Sequence, residues 1–170
     1  SKSTLNNMSD SLAQPLRLPC GAILPNRLCK AAMTEGLADP LLRATPRHET
    51  LYRTWSEGGA GLLLTGNVQV DRTDLERPGN VAIDVSEPRT VSPEARQRLR
   101  DWARAGTIRG NHLWMQISHA GRQSPRYVTG KPLAPSAVQL DMLGNYATPL
   151  ALTEAGVPRE VAMEKVKRYA

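Results

Sequence analysis

The run Ala60-Gly61-Leu62-Leu63-Leu64-Thr65 is apolar at successive positions with no polar alternation. A strand with one wetted face would alternate with a period of two, so this run reads as a strand buried on both sides. Strands of that kind belong to parallel sheets covered by helices. The segment therefore narrows the chain to α/β construction and demands helices before and after it.

Those helices are marked by their caps. Thr45-Pro46 supplies an N-cap followed by proline at the first helical position, and Leu51 and Trp55 carry the helix to about Glu57, where Gly58-Gly59 stop it. His48, near its start, is expected in solvent. Ser92-Pro93-Glu94 opens a second helix by the same logic, with Leu99, Trp102 and Ala103 on one stripe and an end between Gly106 and Gly110. Thr153-Glu154 and Pro158 introduce a third, with Val161, Val166 and Tyr169 on one side. A short strand precedes each helix, over 27–33, 60–65 and 113–117. Ahead of them, Leu16-Arg17-Leu18 and Ala22-Ile23-Leu24 flank Pro19-Cys20-Gly21 and read as a small β-hairpin able to cap one end of a barrel. Residues 1–15 carry no usable period and are expected to be a flexible tail, which leaves 16–170 as the folded unit. A hairpin followed by three strand–helix repeats is right-handed βαβ construction around a parallel sheet.

Each predicted strand ends in small or hydrogen-bonding residues. The first runs through Ala31, Ala32 and Met33 into Thr34-Glu35-Gly36, the second into Gly66-Asn67, and the third through Gln116 into Ser118-His119-Ala120-Gly121. Small residues at a strand's carboxyl end let a flat ligand lie against the backbone. A neutral amide such as Gln116 gives and takes hydrogen bonds at once, which suits a pyrimidine-like ring or a flavin. Plain structural roles compete with this: Gln116 as a polar strand terminus, Ala31 and Ala32 as packing positions under a helix, and Thr34 as a cap. The long loops over 71–91 and 120–150 are candidate walls of a site.

Composition excludes several functions. The net charge of +6 is spread as single arginines with no run of five cations, and only three Trp and four Tyr are present without any Phe. A nucleic-acid groove is disfavoured on both counts. Cys20 and Cys29 have neither CxxC spacing nor a second pair, so they make no zinc site and are expected to be reduced and buried. No run of eighteen apolar residues and no signal-like segment occurs, so no membrane partner is expected and the cytoplasm is the default location. No GxGxxG follows a strand, and GxSxG and HExxH are missing, which argues against Rossmann, hydrolase and zinc-protease chemistry. No catalytic residue and no metal ligand is assigned.

Three segments together carry a resemblance: Asn26-Arg27-Leu28-Cys29-Lys30-Ala31-Ala32-Met33-Thr34, Gly61-Leu62-Leu63-Leu64-Thr65-Gly66-Asn67-Val68, and Trp114-Met115-Gln116-Ile117-Ser118-His119-Ala120-Gly121-Arg122. In that order they resemble the first three strands of the old yellow enzyme family, FMN-dependent NAD(P)H oxidoreductases and ene-reductases built on a (β/α)8 TIM barrel. Pro132-Leu133-Ala134-Pro135-Ser136-Ala137 and Ala151-Leu152-Thr153 fit the family's third long loop. The resemblance implies that the backbone at Ala31, Ala32 and Met33 lies against the flavin and that the Thr34 hydroxyl bonds near its O4. It further implies that Gly66 and Asn67 border the pyrimidine side and that Gln116 bonds the N3/O2 edge. His119 is assigned a structural role. The reductant would be NAD(P)H and the substrate a small conjugated carbonyl compound.

Members of the family run to roughly twice this length, and the remainder carries the groups that polarise the substrate, donate the proton and hold the FMN phosphate. Three strands cannot close a barrel, which needs about eight. The expected fold is thus a partial TIM barrel, a hairpin plus about three βα units, completed by a homo-oligomer or a complementary C-terminal chain. Alone, it is expected to bind FMN weakly and to reduce nothing. The competing expectation is a non-catalytic, self-associating partial barrel.

Overall fold

Three parallel strands form the centre of the computed structural model, which describes residues 11–142 and 144–151. They are β3 (Cys29–Lys30), β4 (Leu62–Gln69) and β5 (His112–Ser118), adjacent in the order β3-β4-β5. Helix α1 (Pro46–Glu57) joins β3 to β4, and helix α2 (Pro93–Ala105) joins β4 to β5. This is the βαβ order that the unbroken apolar run of β4 requires. Leu62, Leu63 and Val68 are buried, while Tyr52 of α1 and Trp102 of α2 meet edge to face over the sheet at 5.2 Å. Ala44, Leu63, Val68 and Val81 complete that core. The third expected helix lies outside the described residues.

The hairpin is formed by β1 (Leu16–Arg17) and β2 (Ile23–Leu24), antiparallel, with Gly21 at a φ of +91° in its turn. It sits at the amino ends of the parallel strands, where His112 Nε2 donates to the Ile23 carbonyl at 3.0 Å. Asn26 fastens it there, accepting from the Gly61 N–H at 2.8 Å and donating to the Gly59 carbonyl at 2.8 Å. The segment 120–150 is less bare than expected, because β6 (Leu133–Ala134) and β7 (Leu150–Ala151) pair within it as a short parallel ribbon.

Several sequence expectations are corrected. Gly66 and Asn67 do not end a strand, since β4 runs on to Gln69. Its register against β5 shifts between Leu64 and Asn67, and the Thr65 hydroxyl accepts the Gln116 N–H at 2.9 Å across the break, so pairing resumes beyond it. β3 is shorter than the expected 27–33. On α2 the inward stripe is Ala95, Trp102 and Ala105, while Ala103, about 100° around the helix from Trp102, is exposed. His48 is fully buried, not solvated: its Nδ1 accepts from the Thr45 N–H at 3.1 Å in a capping box, which lays the ring 4.6 Å from that of Trp102. Cys20 and Cys29 are free but exposed, one in the hairpin turn and the other on an edge strand.

Candidate functional site

At the carboxyl end of the parallel sheet, side chains from four separate segments join into one hydrogen-bonded chain. The Thr34 hydroxyl, just beyond β3, donates to Glu76 Oε2 at 2.6 Å. Asn67 Nδ2, on β4, donates to the same oxygen at 2.7 Å, and Gln116 Nε2, on β5, donates to Asn67 Oδ1 at 2.6 Å. Thr34, Asn67 and Gln116 are thereby brought together. Asn67 and Gln116 face each other because they are register partners across β4 and β5.

Gly66 explains how the Met33-Thr34 backbone comes so close. A Cβ at Gly66 would stand 2.5 Å from the Met33 carbonyl oxygen and 2.7 Å from Thr34 Cα, so only glycine admits the crossing. Ala31 and Met33 are exposed and Ala32 is half-buried alongside it. Behind the crossing, Glu35 Oε1 accepts the Gly66 N–H at 2.9 Å and takes a short bond from the Tyr52 hydroxyl. Burial, aided by the Glu35 carboxylate, pushes the Tyr52 phenol well above its usual range. Lys30 bonds the Leu64 carbonyl at 2.8 Å and lies 4.2 Å from the centre of the Trp55 ring. Burial lowers the affinity of its amine for a proton, against the pull of Glu35. Strand tip, crossing backbone and helix α1 are thus tied at one point.

Sequence reasoning placed Glu76 only at the centre of a candidate loop wall, without a partner, and missed Glu35 and Tyr52 as site residues. Glu76 lay in a long charged loop without a period, and Glu35 beside Thr34 offered no clue to its distant partner. Tyr52 was legible only as one more apolar helix position. A cleft of about 580 Å³ opens beside the chain, with Asn67, Glu76, Tyr127, Met142 and Tyr146 among its lining residues.

His119 belongs to a second cluster. Its Nε2 lies 3.7 Å from Asp74 Oδ2 and 3.9 Å from Asp71 Oδ2, and the three residues could between them offer ligand atoms to a cation. Asp74 Oδ2 already accepts the Leu133 N–H at 2.7 Å, and burial raises the affinity of its carboxyl for a proton. The trio has the makings of a loop clasp, joining the segments after β4 and β5 to β6.

No protein-family model matches the chain. It is 38% identical over 160 residues to an NADH-dependent flavin oxidoreductase of Neonectria sp. (strain DH2), a match covering 91% of this chain and 20% of the relative. With an NADH-dependent flavin oxidoreductase of Hypocrea jecorina (strain QM6a) it shares 33% identity over 162 residues, 90% of this chain and 39% of the relative. The chain therefore spans well under half the length of these relatives. Among solved structures, the old yellow enzyme homologue from Zymomonas mobilis superposes with a TM-score of 0.68 at 27% identity, over 94% of this chain and 45% of that one. Morphinone reductase in complex with tetrahydroNAD, at 21% identity and a TM-score of 0.67, shares the fold over 94% of this chain and 47% of its own. Sheet order and these matches agree: over some nine-tenths of its length the chain is similar to part of NADH-dependent flavin oxidoreductases and shares the fold of old yellow enzymes.

Proposed function

We propose that this chain supplies the N-terminal part of an FMN-dependent NAD(P)H oxidoreductase of the ene-reductase type, and that it works only when the rest of the barrel is present. The observation that carries the reading is the chain of Thr34, Glu76, Asn67 and Gln116, which links the segment after β3 to the carboxyl-terminal parts of β4 and β5, beside a backbone crossing that only Gly66 permits. The donor set fits the group: Gln116 is exposed, and an amide of that kind can meet a ring edge carrying N–H beside C=O. In this reading Ala31, Ala32 and Met33 line the ring, Thr34 stands near its carbonyl, and Gly66, Asn67 and Gln116 bound its pyrimidine side. When bound, FMN would supply hydride transfer from NAD(P)H to a conjugated carbonyl substrate. Residues 16–170 are read as this part of the barrel; the expected tail over 1–15 is not wholly separate from it, since 11–13 form a helical turn whose Leu12 carbonyl accepts the Arg27 N–H at 2.9 Å. Among the described residues no helix is long and apolar enough to cross a membrane. Two exposed, unbridged cysteines suit a reducing compartment such as the cytoplasm.

The second reading, a non-catalytic partial barrel that self-associates, draws on the bare strand β5, where Trp114 is 42% and Ile117 60% exposed. Titration of FMN into the purified chain, followed by quenching of flavin fluorescence, separates the two. Weak saturable quenching without NAD(P)H oxidation is expected. A folded, associated chain that leaves FMN fluorescence untouched at millimolar ligand would sink the first reading in favour of the second.

A further inference from the structure

We propose that Glu76 is a positioning residue of the flavin cradle, whose carboxylate orients the Asn67 and Gln116 amides and biases the site toward the oxidised ring. The proposal rests on the flavin reading above. An ionised carboxylate only accepts hydrogen bonds, so both protons that reach Oε2 must come from its partners. Thr34 spends its hydroxyl proton there, at 2.6 Å, and Asn67 is held with Nδ2 toward Glu76 and Oδ1 away from it. Gln116 must then turn Nε2 toward Asn67, which leaves Oε1 and the second Nε2 hydrogen for a ligand. One fixed acceptor therefore sets the order of donors and acceptors along the whole chain. That order complements an N–H flanked by a carbonyl.

The competing role for Glu76 is to staple its loop, and the loop does not need it. Asn80 Oδ1 accepts the Arg77 N–H at 2.9 Å, Asn80 Nδ2 donates to the Asn67 carbonyl at 3.2 Å, and the Ala38 N–H reaches the Gly79 carbonyl at 3.0 Å. Gly79 packs so closely on Gly36 that a Cβ would stand 2.7 Å from its carbonyl oxygen. Among the described residues, Glu76 forms an ion pair with Arg77 at 4.0 Å, with the Arg77 side chain 54% exposed, a pairing too loose and too wet to explain the carboxylate. A negative charge held at the site opposes further negative charge on the ring, so it should favour oxidised over reduced FMN.

The test compares wild type with Glu76→Gln, which keeps an acceptor oxygen and loses the charge, and with Glu76→Ala. Dissociation constants are measured anaerobically for oxidised and for dithionite-reduced FMN, and side-chain amide resonances of Asn67 and Gln116 are recorded without flavin. Glu76→Gln should shift those resonances and lower the preference for oxidised over reduced FMN by about tenfold. Glu76→Ala should weaken oxidised FMN about tenfold as well. Wild-type affinities and an unchanged oxidised-to-reduced ratio in a folded Glu76→Gln chain would overturn the proposal and leave the flavin reading standing. Failure of the wild-type chain to bind either form of FMN would overturn the flavin reading, and the proposal with it.

Discussion

Gly66 and His48 show how much of this molecule turns on single atoms. Adding one carbon at Gly66 sets it against the Met33 carbonyl, Thr34 Cα and the Glu35 carboxylate, two of them backbone that has no rotamer to retreat into. Gly66→Ala should therefore cost about 1–3 kcal/mol, read as a lower urea midpoint, and should loosen the Thr34 end of the hydrogen-bonded chain. His48 acts through its proton. Burial lowers its affinity for one, against a smaller opposing pull from Glu35, so the unfolded chain binds more protons near the ordinary histidine pKa of about 6.5. Its contribution is complete above that pH and is lost as pH falls below it, at up to about 1.4 kcal/mol per pH unit. Urea midpoints should drop between neutral pH and pH of about 5.5. A His48→Gln variant should lose most of that slope, and an equal slope in the variant would assign the acid sensitivity elsewhere.

The elements were legible in proportion to how local their cause is. Both helices followed from caps and prolines within a few residues, and the hairpin from its turn, because those signals and their structures share the same stretch of chain. β4 was found as a buried strand from its leucines, yet its last four residues were not, since their pairing depends on a hydroxyl meeting a backbone amide across the sheet. Thr65 is that hydroxyl, buried and accepting from Gln116 N–H at 2.9 Å while donating to the Gly66 carbonyl at 2.8 Å. Thr65→Val keeps the shape and removes both bonds, so it should cost about 1–3 kcal/mol and raise hydrogen exchange at the Gln116 amide well above that of Leu113. Thr34, Asn67 and Gln116 were readable one by one as polar positions toward the carboxyl ends of the strands, although β4 and β5 run two residues past the last two. Glu76, which links them, was not, because nothing within its own loop records which strands the loop will cross. The burial of His48 was hidden for a related reason: a histidine at a helix start looks solvated until its reach back to Thr45 turns the ring inward.

At the scale of the molecule, the sheet ends on both sides among the described residues, at β3 and at β5. On β5 the groups facing β4 can be identified. The His112 N–H bonds the Gly61 carbonyl, the Gln116 N–H bonds Thr65, and the Ser118 carbonyl accepts the Val70 N–H. Alternation of the backbone then directs the N–H groups of Leu113, Met115 and Ile117 away from β4, toward the side where the next strand of a barrel would lie. A strand of seven residues with that edge bare and Trp114 exposed invites another β-strand, from a second copy or from a complementary chain. Met115→Pro tests this directly. Proline at this position removes an N–H pointing outward and no bond to β4, and edge strands tolerate it where central strands do not. Sedimentation velocity should show the wild-type chain associating and Met115→Pro shifting toward monomer, with helical circular dichroism retained. A wild-type chain that stays monomeric at high concentration would remove the edge as the site of completion. Association unchanged in Met115→Pro would move the contact to β3, whose outer edge is the other end of the same sheet.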